Sequence, residues 1–101
     1  MPRLGAAGSS EFRIFETEEF ARRLRGLQPH GPEALRRKLE TYVYPQLRSM
    51  PFVGAHIRKL RGCSTATWRY RIGGLRAFYT VDEEARIVFM LTIDNRKDAY
   101  R

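Results

Sequence analysis

The sequence predicts a single α+β domain in which two N-terminal helices pack on a twisted, mainly antiparallel sheet of four to five strands. Three observations support this prediction. Apolar residues recur with the helical period of about 3.6 before residue 48, and they alternate with the period of a strand after Gly54. Gly73-Gly74 separates two alternating runs, which is typical of a β-hairpin. A chain of 101 residues can bury one modest core but not two.

The domain is predicted over residues 11–101, with a first strand at residues 12–15, where apolar and polar side chains alternate. Residues 1–10 are rich in Gly, Ala and Ser and show no periodicity. We interpret these ten residues as a flexible N-terminal tail or a leftover of expression, without a role in the function.

Two helices are predicted between the first strand and Gly54. Thr17 is a suitable N-cap for the first helix, whose apolar stripe consists of Phe20, Leu24 and Leu27. Pro32 suits the first position of the second helix, whose stripe consists of Leu35, Leu39, Tyr42 and Val43. Pro45 should end or kink this helix, and a last turn is expected through Leu47 toward Arg48.

The β-hairpin of residues 67–81 places apolar and basic side chains on opposite faces. It follows a short strand predicted over residues 56–61. Gly73-Gly74 accepts positive φ and favours a two-residue turn of type I′ or II′, which sets the register. The core face then carries Trp68, Tyr70, Ile72, Leu75, Ala77 and Tyr79. The other face carries Arg69, Arg71 and Arg76, with Arg71 directly across from Arg76.

A final strand is predicted over residues 86–93 after a three-residue turn. This turn would place Ile87, Phe89 and Leu91 on the core face and Val88, Met90 and Thr92 on the face of the arginines. The same alternation would bring Arg96 to the arginine-bearing face.

The charge of the chain indicates a polyanionic partner. Lys and Arg number 19 against 11 Asp and Glu, which gives a net charge of +8. Nucleic acid, an anionic membrane and an acidic protein are all partners of this kind. Two like charges across a sheet destabilise it, so the pair Arg71 and Arg76 favours a bound anion such as phosphate. The alternative is that both are paired with carboxylates of the same chain.

The remaining composition bears on compartment and cofactors. A single cysteine, Cys63, cannot form an internal disulfide, which favours a reducing compartment. His30 and His56 lack the spacing of a zinc site, and no metal or cofactor is expected. Since the sequence contains neither a membrane-length apolar run nor a signal peptide, we expect a cytoplasmic protein that does not engage a membrane.

Several short motifs together resemble the RelE/ParE superfamily of type II toxins. They are Lys59-Leu-Arg-Gly62, the hairpin from Trp68 to Arg76, Tyr79, Ile93-Asp-Asn-Arg96 and Asp98-Ala-Tyr-Arg101. Tyr44-Pro-Gln-Leu47 and Pro51-Phe-Val-Gly54 are similar to the RelE/StbE-like branch of this superfamily. The resemblance extends over residues 11–101.

The resemblance implies a small mRNA endonuclease that acts in the ribosomal A site, contacts mRNA and rRNA, and is held inactive by a cognate antitoxin in a hetero-oligomer. By position it assigns the catalytic site to Arg71, Arg76, Arg96 and Tyr100, with Arg69 in contact with RNA. Lys59 and Arg61 could also contact the RNA backbone, or only keep an edge strand soluble. In RelE the residues at positions 69 and 71 are usually lysines, and other branches have a C-terminal histidine that this sequence lacks.

Cleavage without a metal requires the 2′-OH to attack the adjacent phosphate, which leaves a 2′,3′-cyclic phosphate and a 5′-OH. Arg71 and Arg76 suit the stabilisation of the phosphorane, because guanidinium groups match phosphate oxygens. Arginine cannot exchange a proton at neutral pH. Tyr100 could act as the base if cations lowered its pKa, or it could stack on an RNA base.

Two other functions remain open from the sequence. A ParE-like toxin would have the same fold and would inhibit DNA gyrase by binding it. A degenerate family member would bind nucleic acid without cleaving it. The hairpin arginines together with Arg96 and Tyr100 favour the endonuclease.

Overall fold

The computed structural model describes residues 11–27, 31–62 and 65–95. In chain order the elements are β1 (Arg13–Glu16), α1 (Glu18–Gly26), α2 (Gly31–Lys38), a π-helical segment (Leu39–Val43), α3 (Tyr44–Ser49), β2 (Ile57–Lys59), β3 (Trp68–Ile72), β4 (Leu75–Asp82) and β5 (Ile87–Asn95). The predicted tail of residues 1–10 and Cys63 lie outside the described residues.

The described strands form one mixed sheet in the order β1-β5-β4-β3-β2. β1 pairs with β5 in parallel, whereas the other three pairs are antiparallel. A parallel pair needs a crossover between its strands, and the chain between β1 and β5 includes all the described helices and the other described strands. The prediction of an α+β fold with a mainly antiparallel sheet is therefore confirmed, with five strands.

Thr17 caps α1 and also attaches it to the sheet. Its hydroxyl oxygen accepts a hydrogen bond from the Phe20 amide at 3.2 Å, as expected of an N-cap. The same hydroxyl lies 2.9 Å from the Met90 carbonyl, to which it can donate. One side chain thus satisfies the helix terminus and determines where α1 meets β5, so that Phe20 and Leu24 are buried.

Pro45 is accommodated by a change of helix type. Proline has no amide hydrogen, and in a regular α-helix its ring would clash with the carbonyl four residues earlier. In the π-helical segment that precedes it, the Tyr44 amide donates to the carbonyl of Leu39, five residues back. The helical path then continues as α3 to Ser49, which agrees with the predicted last turn beyond Pro45.

The β3–β4 hairpin has the predicted register. Trp68 pairs with Tyr79, Tyr70 with Ala77 and Arg71 with Arg76. Gly73 has a φ of 58°, and Gly74 does not lie in the positive-φ region. Positive φ at the first central position alone is the pattern of a type II′ turn, which was one of the two predicted types.

The prediction for β5 is wrong in its register. Residues 83–86 form a four-residue connection, and Arg86 adopts a φ of 60°. With this extra residue Val88 pairs with Val81 and Met90 pairs with Tyr79. Their pairing moves Val88 and Met90 into the core, where both are fully buried, and excludes Ile87 and Phe89 from it.

A β-bulge then reverses the alternation along β5. The register shifts between Phe78 and Tyr79, beyond which Phe78 pairs with Thr92 and Ala77 with Ile93. Ile93 is consequently in the core, and Thr92 reaches the face of the arginines after all. The four-residue connection is therefore why the predicted faces of residues 87–90 are wrong, and the bulge, with its one unpaired residue, returns Thr92 and Ile93 to the faces that simple alternation assigns.

The core lies between the helices and one face of the sheet, here called the helix face. Its buried apolar residues are Phe12, Phe20, Leu24, Leu35, Leu39, Val43, Tyr44, Leu47, Tyr70, Ile72, Ala77, Tyr79, Val88, Met90 and Ile93. The Tyr79 hydroxyl donates to the Pro51 carbonyl at 2.7 Å, and the Tyr70 hydroxyl donates to Gln46 Oε1 at 2.7 Å. Burial raises the pKa of both tyrosines, so both remain neutral donors.

A polar cluster joins β1 to the second helical region, which consists of α2, the π-helical segment and α3. Arg36 donates to both carboxylate oxygens of Glu16 at 2.7 and 3.2 Å, and the Tyr44 hydroxyl donates to Glu16 at 2.5 Å. Burial raises the pKa of Glu16, but the hydrogen bonds from Arg36 and Tyr44 outweigh burial and bring that pKa below its usual value.

None of the helices in the described part of the chain is both long enough and apolar enough to cross a bilayer.

Candidate functional site

Four arginines of β2, β3 and β4 lie on the sheet face opposite the helices, and we call this set, Arg58, Arg69, Arg71 and Arg76, the arginine face. Since Tyr70, Ile72 and Ala77 point into the core, the alternate residues of β3 and β4 point away from it. Arg71 and Arg76 are direct cross-strand neighbours, as predicted. Two arginines are thus cross-strand neighbours at the end of the hairpin, next to the Gly73 turn.

The arginines differ in depth. Arg76 is 3% exposed and Arg69 is 6% exposed, whereas Arg71 lies at the surface. A buried guanidinium is costly unless it is partnered, and both buried arginines interact with other residues of the folded chain. Arg71 forms no ion pair with any residue that the structure describes. Arg71 is therefore the accessible member of the pair, and Arg76 is the immobilised one.

An acidic residue borders the pair on the other side. Asp94 of β5 is the register partner of Arg76, so that Arg71, Arg76 and Asp94 form one row across three strands. The Asp94 carboxylate accepts from Arg23 of α1 at 2.9 Å. The sequence also allowed the arginines to be neutralised by carboxylates of the same chain. Asp94 is such a neighbour of Arg76, whereas Arg71 forms no ion pair with a described carboxylate.

Strand β2 adds a cation that the sequence-based prediction missed. Arg58 is the register partner of Arg69, which places the two side chains side by side on the arginine face. Arg58 is exposed. Arg58 is identified by the register of β2 against β3. This register could not be predicted from the sequence, because the loop between the two strands has no regular pattern.

The structure separates Lys59 from the arginine face. Lys59 pairs with Trp68, whose side chain lies on the helix face, and its Nζ is 5.8 Å from the centre of the Trp68 ring. A cation over an indole ring is a stabilising contact in itself. Arg61 is exposed and lies beyond the end of β2. Of the three predicted RNA-contacting residues, only Arg69 lies with Arg71 and Arg76.

The C-terminal members of the predicted site, Arg96 and Tyr100, lie outside the described residues. The described chain ends at Asn95, which pairs with Leu75, the first residue after the hairpin turn. Strand β5 therefore leads the chain to the end of the sheet where Arg71 and Arg76 are paired.

The arginines of the described site can bind negative charge but cannot transfer protons. A guanidinium remains protonated, so these arginines can stabilise a phosphorane and orient a phosphate but cannot act as general bases. Within residues 11–27, 31–62 and 65–95 no three His, Cys, Asp or Glu side chains are grouped as metal ligands. The Asp94 carboxylate beside Arg76 is engaged by Arg23, and Tyr100 remains the predicted acid–base candidate for RNA cleavage.

Comparison with known proteins identifies the fold. No family model matches the sequence, and no curated protein matches it. A chain of the archaeal RelE–RelB complex from Pyrococcus horikoshii matches with a TM-score of 0.66 and 22% identity, over 85% of this chain and 96% of that one. A chain of the Mycobacterium tuberculosis RelBE2 toxin–antitoxin complex gives a TM-score of 0.66 and 24% identity, over 85% and 99%.

A third match is a chain of the intact Escherichia coli RelBE toxin–antitoxin complex, with a TM-score of 0.61 and 23% identity, over 83% of this chain and 95% of that one. The resemblance to RelE toxins that the sequence motifs indicated is thereby confirmed at the level of the fold. Each matched chain is covered almost completely, so the likeness is to whole domains.

Proposed function

From the RelE fold and the arginine face we infer that this protein is the toxin of a type II toxin–antitoxin module and cleaves mRNA on the ribosome without a metal ion. The observation that carries the proposal is the pairing of Arg71 with Arg76 at the end of the hairpin. Two like charges directly opposite each other destabilise a sheet, and a bound phosphate would offset that destabilisation.

In the proposed reaction the 2′-oxygen of one nucleotide attacks the phosphorus of its own 3′-phosphate, and the bond to the 5′-oxygen of the next nucleotide breaks. The products are a 2′,3′-cyclic phosphate and a 5′-OH. Negative charge builds up on the non-bridging oxygens in the transition state, where preorganised cations are most effective. Arg76 is held in place by burial and supplies a fixed positive charge. Arg71 is exposed, so its guanidinium is accessible to a phosphate that arrives from solvent.

Proton transfer is assigned to the C-terminal segment. Removal of the 2′-proton and delivery of a proton to the leaving 5′-oxygen both need a group that can exchange protons. Tyr100 takes one of these roles or stacks on a base, and Arg96 adds positive charge beside the phosphate. The course of β5 supports this assignment, because Asn95 pairs with Leu75 beside the hairpin turn.

The proposed partners follow from the same fold and charge. RelE chains in the matched structures are in complex with RelB antitoxins, and we propose that this toxin likewise forms a hetero-oligomer with a cognate antitoxin. An acidic segment of the antitoxin would complement a protein of net charge +8. mRNA in the ribosomal A site and the surrounding rRNA are the proposed nucleic-acid partners, which places the toxin in the cytoplasm.

The experiment that tests this function is cell-free translation followed by mapping of mRNA 5′ ends. The wild-type protein should produce cuts at fixed positions within codons that depend on translation, and Arg76→Ala should produce none while its circular dichroism spectrum is unchanged. Untranslated mRNA is the control for ribosome dependence. Intact mRNA combined with blocked DNA supercoiling would instead identify a gyrase inhibitor and overturn the proposal.

A further inference from the structure

A second basic feature lies on the helix side of the molecule. A cleft of about 450 Å³ opens between the second helical region and the end of β3. Its volume falls in the range of about 300–1,000 Å³ that is typical of ligand sites. Buried Tyr70 and Ile72 form its floor, and α2 with the π-helical segment forms one wall.

Two cations of α2, Arg37 and Lys38, line this cleft, and residue Arg71 of β3 borders it at the end of the hairpin. None of them forms an ion pair with a residue that the structure describes, and the lining includes no acidic side chain. Cations in the last turn of a helix often only complement the helix dipole. That explanation is weak here, because the helical path continues beyond Lys38 through the π-helical segment to Ser49. Unpaired positive charge in a concave site attracts an anion.

Two aromatic side chains flank these cations. Tyr42 lines the cleft and is 54% exposed, which is unusual for a large aromatic residue. His56, also exposed, lies on the other wall with its ring centre 5.8 Å from that of Tyr70. Sites for single-stranded nucleic acid combine aromatic rings that stack on bases with cations that bind phosphates. An acidic peptide would satisfy the cations but would leave the exposed Tyr42 ring without a stacking partner.

We propose that this cleft binds one nucleotide of a single-stranded RNA, with the base stacked on Tyr42 and the phosphate held by Arg37 and Lys38. Arg71 is a member of the arginine face and also borders the cleft, so the two sites adjoin at the end of the hairpin. The inference rests on the proposed function for the identity of the strand as RNA. It adds a binding site for a nucleotide away from the cleaved bond.

The charge component is tested by fluorescence anisotropy with a labelled ten-nucleotide single-stranded RNA whose sugars are 2′-O-methylated and resist cleavage. The full-length double variant Arg37→Ala/Lys38→Ala is compared with Arg22→Ala/Arg25→Ala, which removes two exposed cations of α1 that form no described ion pair. The cleft variant should lose about tenfold more affinity than the control, since local phosphate contacts are lost and not only net charge. Equal losses would overturn the proposal.

The stacking component is tested with Tyr42. Tyr42→Ala should weaken RNA binding about fivefold or more, whereas Tyr42→Phe keeps the ring and should bind like the wild type. Wild-type affinity in Tyr42→Ala would overturn the proposal. A ten-residue polyglutamate peptide is the competitor, and competition by this peptide as effective as that by unlabelled RNA would also overturn it.

The two proposals can fail separately. If Arg76→Ala abolishes mRNA cleavage while Tyr42→Ala binds RNA as the wild type does, the cleft proposal fails and the proposed function stands. If the wild-type protein leaves mRNA intact but RNA binding depends on Tyr42, Arg37 and Lys38 as described, the cleft proposal stands and the nuclease function fails.

Discussion

The two faces of the β3–β4 hairpin handle polar side chains in opposite ways. On the helix face the hydroxyls of Tyr70 and Tyr79 donate to acceptors inside the fold. On the arginine face the exposed guanidinium of Arg71 forms no ion pair with the described residues. Alternate residues of the same two strands therefore serve different ends, internal hydrogen bonding on one side and unbalanced positive charge on the other.

This difference predicts which substitutions will change the free energy of unfolding and which will change RNA cleavage. A buried donor that loses its partner costs free energy of unfolding, whereas an exposed cation contributes little to stability. Variants on the helix face should thus change stability with little effect on RNA cleavage per folded molecule. Variants of the exposed arginines on the arginine face should do the reverse.

The largest expected effect is that of Arg71→Ala on cleavage. Loss of an exposed guanidinium at the proposed phosphate site should lower the rate of the proposed mRNA cleavage about 100-fold or more. Its free energy of unfolding should change by less than about 0.5 kcal/mol, as for other surface sites. Rates come from timed 5′-end mapping and stability from urea unfolding. Arg25→Ala is the matched control on α1, and an equal loss of rate in that variant would remove the distinction between the two regions.

On the helix face, Tyr79→Phe should lower the free energy of unfolding by about 1 kcal/mol or somewhat more, because the Pro51 carbonyl loses its donor. Cleavage per folded molecule should be unchanged. Urea unfolding followed by circular dichroism measures the difference against Tyr42→Phe, which removes a hydroxyl from an exposed ring. A Tyr79→Phe variant as stable as Tyr42→Phe would contradict the assignment.

The turn that joins the two strands offers a test of backbone strain alone. An added Cβ at Gly73 or Gly74 would meet no atom within 4 Å, and only Gly73 has a positive φ. Gly73→Ala should therefore cost about 1 kcal/mol of unfolding free energy, while Gly74→Ala should cost much less. Thermal or urea denaturation of the two variants measures the contrast. Equal costs would be inconsistent with a type II′ turn.

The smallest effect concerns pH and the ion pair on the helix face. Because the folded pKa of Glu16 lies below its unfolded value, the pairing with Arg36 stabilises the fold above the unfolded pKa, near pH 4.3, and is lost as the pH falls through the folded pKa. The unfolding free energy should fall more steeply in this acid range for the wild type than for Glu16→Gln. Parallel pH profiles of urea unfolding in the two proteins would contradict the coupling.

The success of the hairpin prediction and the failure of the β5 prediction have different physical causes. A two-residue Gly-Gly turn links its strands so tightly that residue numbers alone determine which positions pair. The β4–β5 connection is four residues long and depends on Arg86 adopting a positive φ. This connection sets the faces of Val88 and Met90, whereas the bulge beside Tyr79 depends on packing across the sheet and sets the faces of Thr92 and Ile93.

The candidate site divides along the same line. Arg69, Arg71 and Arg76 follow from the hairpin, and the sequence was sufficient to place them on one face. Arg58 and Lys59 required the pairing of β2 with β3, whose register is determined by tertiary packing after an irregular loop. Alternation places these neighbours on opposite faces, and only the fold decides which of them joins the arginines.

Local chemistry in the sequence determined the α+β class, the Thr17 cap, the hairpin register and the adjacency of Arg71 to Arg76, because each depends on residues close together in the chain. The tertiary structure alone decided the depth of each arginine, the parallel pairing of β1 with β5, and the cleft that brings Arg37, Lys38 and Tyr42 near Arg71. Burial and long-range strand pairing depend on how the elements pack across the sheet, and that packing cannot be predicted from the spacing of residues in the sequence.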